Sequence, residues 1–222
     1  MSEVTITVRG EHEVRVAPER ATVRLSIGQE GPDRGPVVER TLALAAPLRE
    51  GIEARAASGA VEEWTSRRLT VRSERPWNNE GRRLDPVFHA DVEFTATFSD
   101  LSDLSLWITE ISAAEGVTVL DTTWSLTSAT RAAVEREVAS EAVAVAVVRA
   151  NAYAAALGLA RVEPVEIADT GLISAGPAPA PAPYAKAMRA EAYAAADAGS
   201  GVELQGEDIA VSATVEARFR AS

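Results

Sequence analysis

Hydrophobic and polar residues alternate one by one through several stretches of this chain, and at helical spacing through others. Val4, Ile6 and Val8 alternate with Thr5, Thr7 and Arg9. Ala21, Val23, Leu25 and Ile27 alternate with Thr22, Arg24 and Ser26. Period two places one set on each face of a strand, so both runs predict half-buried strands. Residues 10–18 between them, with Gly10 and Pro18 at the ends, predict a turn or bulged connection. The strongest alternation is Phe88, Ala90, Val92, Phe94, Ala96 and Phe98 against His89, Asp91, Glu93, Thr95 and Thr97. A last one runs Ile209, Val211, Ala213, Val215, Ala217 and Phe219. Residues 61–72 and 117–126 predict two more strands, and 162–168 a weaker one broken by Pro164.

Helical spacing fills the gaps. Leu44, Leu48, Ile52 and Ala56 share one face of a helix that Asp33 caps and Gly59 ends, with a kink or a break expected at Pro47. Leu101, Leu104, Ile108 and Ile111 form the stripe of a second helix, capped by Asp100 and stopped by Gly116. The third and longest starts at Ser128 or Thr130 and ends at Gly158. Its expected stripe is Val134, Val138, Ala142, Val145, Val148 or Arg149, and Ala152.

The order is ββαββαβαβ-loop-β. One-faced, paired strands predict an α+β fold, a mainly antiparallel sheet with helices packed on one side. The loop is the Pro/Ala-rich stretch 176–201. The strand at 208–219 has an apolar face that must be buried in earlier sheet, so the stretch is an excursion inside the fold. The expectation is therefore one domain over 1–222, divisible into subdomains of about 1–90 and 91–222.

Composition narrows the function. The formal net charge is −11, which disfavours nucleic acid and anionic membranes as partners. There is no cysteine, so disulfides, thiol nucleophiles and thiolate metal sites are excluded. The N-terminal MSEVTITVRG has no basic and apolar export pattern, and no apolar run approaches the length of a membrane span, which gives a cytoplasmic expectation. Glycine-rich nucleotide loops and the nucleophile elbow are absent, and Gly199-Ser200-Gly201 reads as a flexible turn. No catalytic residue, metal ligand set or cofactor is expected. Glu11, His12 and Glu13 do not make a ligand set, because adjacent strand residues point to opposite faces.

Two groups of residues are candidates for function. Arg67, Arg68, Arg72, Arg75, Arg82 and Arg83, with Trp64 and Trp77, concentrate positive charge and aromatic surface around a polar loop at 74–86. That combination suits a protein contact. His89, Asp91 and Glu93 share the polar face of the strongest strand, where a carboxylate tunes a histidine for ligand binding or acid–base work. An ordinary solvated sheet face has the same pattern.

The whole pattern resembles a known family. ITVRGEHEVRVAPERATVRLSI (6–27), FTATFSDLSDLSLWITEISAAEGVTVLDTTWSLTS (94–128) and AVEREVASEAVAVAVVRANAYAAALGL (133–159) resemble successive segments of the SIMPL (DUF541) family, as do the Pro-rich gap and the final strand. The resemblance implies an α+β fold prone to oligomerise and offers no catalytic residues to carry over. It also implies kinship with bacterial envelope proteins and with an animal protein that associates with a signalling kinase. The expected function is noncatalytic, through protein contacts, as a homo-oligomer with a further protein partner left open. The alternative is a small-molecule or anion-binding protein, or an enzyme, using the face around His89.

Overall fold

A computed structural model describes residues 3–173 and 205–222; the 176–201 excursion lies outside the described residues. The elements are β1 (Val4–Val16), β2 (Arg20–Gly31), α1 (Arg34–Ser58), β3 (Val61–Ser66), β4 (Thr70–Glu74), β5 (Val87–Phe98), α2 (Leu101–Ser112), β6 (Val117–Ser125), α3 (Ser128–Ala156), β7 (Val162–Asp169) and β8 (Ile209–Ala221). All strand pairs are antiparallel, so the fold is α+β as the alternations require. They form two sheets, and the chain divides into two compact units around them. Residue 90 lies inside β5, within the second unit.

The first unit is built from 3–17, 126–173 and 208–222 among the described residues. Its sheet has the order β1-β8-β7. The last strand does return to the first: β1 pairs β8 from Val4↔Ala221 to Val16↔Ile209. Arg9 stands opposite Glu216 and bonds it, Nη2 to Oε1 at 3.1 Å. The turn expected between Gly10 and Pro18 is instead the second half of one strand of 13 residues. The alternation never stops, because Gly10 occupies the inward phase between Val8 and His12.

What fills the space above Gly10 is α3. A Cβ built there would stand 1.9 Å from the Ala142 carbonyl oxygen and 2.7 Å from the Ala146 nitrogen. The helix backbone thus rests directly on the strand backbone. This contact also decides which helix face is inward. Val138, Ala142, Ala146, Ala150 and Ala154 are buried, while Val148 is 68% exposed. The expected stripe holds as far as Ala142 and then gives way to alanines. Only methyl-sized side chains fit so close an approach, so the buried row beyond Ala142 is alanine, and Val147 and Val148 turn outward. Ile6, Val8, Val215, Ala217 and Phe219 complete this core.

The second unit takes in residues 18–125. Its sheet runs β3-β5-β2-β6, with β4 also paired to β5. β3 lies along Phe94–Phe98 and β4 along Val87–Asp91, so the single strand expected over 61–72 is two short ones sharing one edge of β5. Val23, Leu25, Ile27, Phe94 and Phe98 point inward and pack against Leu48 and Ile52 of α1 and Leu104 and Trp107 of α2. Trp107 is 2% exposed, its ring centroid 5.2 Å from that of Phe98 and 5.3 Å from the Arg55 guanidinium.

Helix α1 runs through Pro47 as one element. Pro47 and Ala43, whose carbonyl loses its helical donor, are both exposed, and water can satisfy that oxygen. Gly59 closes the helix in the left-handed region, at φ 85°, while Ala60 N–H donates to the Arg55 carbonyl. Asp100 caps α2 by accepting from the Ser102 and Asp103 amides, both at 3.0 Å. Asp100→Ala is expected to lower stability by about 1 kcal/mol, read as a shifted denaturant midpoint with an unchanged slope.

Candidate interaction surface

β4 ends at Glu74 and β5 begins at Val87, and the connection between them is a small hairpin of its own. Trp77 and Arg83 pair as an antiparallel bridge. Asn78 N–H donates to the Arg82 carbonyl at 2.9 Å, and Leu84 N–H to the Pro76 carbonyl at 2.9 Å. The tip closes on one side chain: Asn78 Oδ1 accepts from the amides of Glu80 (3.0 Å) and Arg82 (2.8 Å). Asparagine suits this role because its short amide reaches its own backbone two residues on. Gly81 takes the left-handed conformation the turn requires, at φ 74°.

The hairpin holds a large aromatic residue in solvent. Trp77 is 62% exposed and Leu84 47%. The Arg83 guanidinium carbon lies 5.0 Å from the centre of the Trp77 ring. This cation–π contact holds the arginine while its N–H edges stay open. Arg68, Arg72, Arg75 and Arg82 are exposed as well, and among the described residues none of the five has a carboxylate partner.

Two of the residues expected on this surface belong elsewhere. Trp64 is half-buried and packs on the core of its unit. A bulge in β3 between Val61 and Glu63 shifts the register, which brings Trp64 to the same face as Val61 although the two are an odd number of residues apart. Arg67 is exposed but engaged, its Nη1 3.2 Å from Glu93 Oε2.

The polar sheet face around β5 is tied up within itself. Glu93 also faces Arg24 at 3.8 Å, and Arg24 binds Asp121 at 2.9 Å. Thr22 and Thr97 share a hydrogen bond of 2.9 Å. His89 shares the face with Asp91 and Glu93, yet its near neighbours come from other strands. Its Nδ1 lies 3.3 Å from Glu30 Oε2 of β2, and its Nε2 lies 3.3 Å from Glu74 Oε1 of β4. The second approach lacks hydrogen-bond geometry, so Nε2 is buried without a hydrogen-bond partner. Among the described residues no three His, Asp or Glu side chains are arranged to hold a metal ion.

In the first unit an open apolar groove of about 370 Å³ runs between α3 and β7, lined by Val143, Val147, Val165, Ile167 and Phe219. Val165 and Ile167 sit on an edge strand and are 53% and 54% exposed. The charged residue in its lining, Glu166, is bonded to Arg218 at 2.8 Å. Helix α3 is also long and apolar enough, by length and composition, to cross a membrane.

Two antiparallel sheets, one with α3 and the other with α1 and α2 on its apolar face, and an aromatic, arginine-bearing hairpin define an α+β protein with a prominent surface loop. Residues 6–219 match the family described as SIMPL, protein of unknown function (DUF541), and the chain belongs to that family. No curated protein matches the chain.

Proposed function

We propose that this chain is a noncatalytic protein that acts through protein contacts and assembles with further copies of itself. The observation that carries the reading is the hairpin at 75–85. Its backbone is held by its own hydrogen bonds, and what it displays is Trp77, Leu84 and a set of arginines with no carboxylate partner among the described residues. Tryptophan and arginine are the residues that concentrate binding energy at protein interfaces. Trp77 is 62% exposed, so most of its ring is left for a partner to cover.

Ligand binding or catalysis at His89, Asp91 and Glu93 has less support, since Glu93 is committed to two arginines. We read α3 as the core helix of its unit, because its alanine row packs on Gly10 and the strand residues beside it. Membership of the family supports the fold and sets no activity.

The test is the mass of the chain in solution. Light scattering at tens of micromolar is expected to give more than one chain per particle, on the order expected for a weak to moderate interface. A single-chain mass at that concentration removes the reading.

A further inference from the structure

Strand β7 is one edge of the β1-β8-β7 sheet. On one side it pairs β8, from Val162↔Ala221 to Asp169↔Val215. On the other it has no strand neighbour among the described residues. Alternate residues therefore turn their N–H and C=O groups away from β8, which is a template for a further strand. Proline and bulges blunt such edges. Here Pro164 and the bulge between Pro164 and Glu166 blunt the first half. Glu166, Ile167, Ala168 and Asp169 pair in regular register and leave the second half open.

The position of α3 exposes this strand. The helix rests on Gly10 of β1, and β7 lies two strands away, about 10 Å across the sheet. A helix is about 10–12 Å wide with ordinary side chains, and an alanine row narrows it on that face. It does not cover β7. Residues 163–167 are all exposed, where a covered sheet face would bury every second one. Val165 and Ile167, with Val143, Val147 and Phe219, wall the open groove that results.

We propose that β7 takes an extended segment of another protein as a fourth strand. Alternate apolar side chains of that segment enter the groove, and its other side chains are basic. The unpaired edge selects an extended chain over a helix, whose backbone is already bonded within itself, and over a small apolar molecule, which has no backbone to offer. Period two then puts every second side chain on the groove face. Charge selects the rest. The ionisable side chains of β7 are Glu163, Glu166 and Asp169, all acidic. Arg161 and Arg218 bind the first two at 2.6 and 2.8 Å, so three carboxylates against two arginines leave −1, on a chain of −11. A carboxylate has lone pairs for further donors, so a lysine or arginine of the added strand can share Glu166 from the open side. The site belongs to the first unit and the hairpin at 75–85 to the second, so variants separate the two.

The probe is a fluorescein-labelled peptide of about eight residues alternating valine and lysine, titrated with the intact protein and read by anisotropy. The expected dissociation constant is roughly 10–100 µM. Strand residues point their N–H groups alternately to either side. Of two peptides, one N-methylated on every valine and one on every lysine, one is therefore expected to lose at least roughly tenfold and the other to keep its binding. A peptide with the same residues grouped in two blocks keeps the charge and loses the alternation, and is expected to bind at least roughly tenfold less. A valine–glutamate repeat is expected to lose as much. Ile167→Lys puts a charge into the groove and is expected to abolish binding with thermal melting unchanged, because Ile167 is 54% exposed. Trp77→Ala is expected to leave binding as it is.

No binding at about 1 mM protein overturns the proposal. Two N-methylated peptides that both bind like the parent overturn strand addition. Equal binding of the block peptide or the glutamate repeat overturns the alternating basic partner. Binding that survives Ile167→Lys overturns the site. An apolar dye that Ile167→Lys displaces and the peptide does not makes the groove a small-molecule site, and overturns the strand. Sequence-dependent peptide binding by a chain that stays monomeric supports this proposal and removes the self-assembly reading.

Discussion

Trp107→Ala is expected to destabilise the protein by about 3–5 kcal/mol, the largest effect of any single change considered. Trp107 is 2% exposed and packs among Leu104, Phe98 and the strand residues beneath them. Removing the indole deletes the ring that faces Phe98 at 5.2 Å and the surface on which Arg55 lies at 5.3 Å. Arg55 keeps Asp103 at 3.0 Å, so no charge is stranded and the loss is one of packing. Differential scanning calorimetry is expected to show the transition lowered by on the order of 10 °C. Trp107→Phe keeps a ring against Phe98 and is expected to lose clearly less. A melting temperature within about a degree of wild type for the alanine variant would contradict this packing.

The second large effect comes from adding one carbon. Gly10→Ala places a methyl group where the Ala142 carbonyl oxygen and the Ala146 nitrogen already lie, 1.9 and 2.7 Å away. Both obstacles are helix backbone, which no rotamer change moves aside. Either α3 lifts from the sheet or β1 bends away, and both open gaps along the alanine row. Overpacking of this kind costs about 1–3 kcal/mol and sometimes more; backbone against backbone belongs at the upper end. The expected readout is a melting temperature lowered by several degrees, with amide exchange accelerated in β1 and α3. Ala146→Leu is expected to do the same from the helix side. A Gly10→Ala protein as stable as wild type would show that the helix does not rest on the strand.

These two positions also show what a sequence reveals and hides. β5 and β8 are legible because each buries one face, and period two then writes the burial into the residue types. Helix α3 is legible as a helix, but its inward face is not. Alanine and valine occupy every position from Ala142 to Val148, so hydrophobicity does not choose among faces. The choice is made by close approach to Gly10, which lies far away along the chain and whose residue type alone suggests a turn.

The interaction surface divides in the same way. Trp77, Arg82 and Arg83 are legible because they lie within one polar loop, and a loop keeps sequence neighbours together in space. Trp64 is near them in sequence, but a one-residue bulge sends it to the core, and bulges leave no periodic trace. His89 shares its phase along one strand with Asp91 and Glu93. Its close carboxylates, Glu30 and Glu74, arrive through the pairing of β2 and β4 with β5. Sheet register, which single-strand periodicity does not contain, sets that neighbourhood. The groove beside β7 escaped for a related reason: it needs both an edge strand and the outward turn of Val147.

The central claim is that this chain assembles through its own surface. Sedimentation equilibrium on the intact protein, from about 1 to 100 µM at low salt, tests it most directly. The account predicts a weight-average mass that climbs with concentration above the 23.4 kDa of one chain. A mass that stays at 23.4 kDa across that range would contradict it.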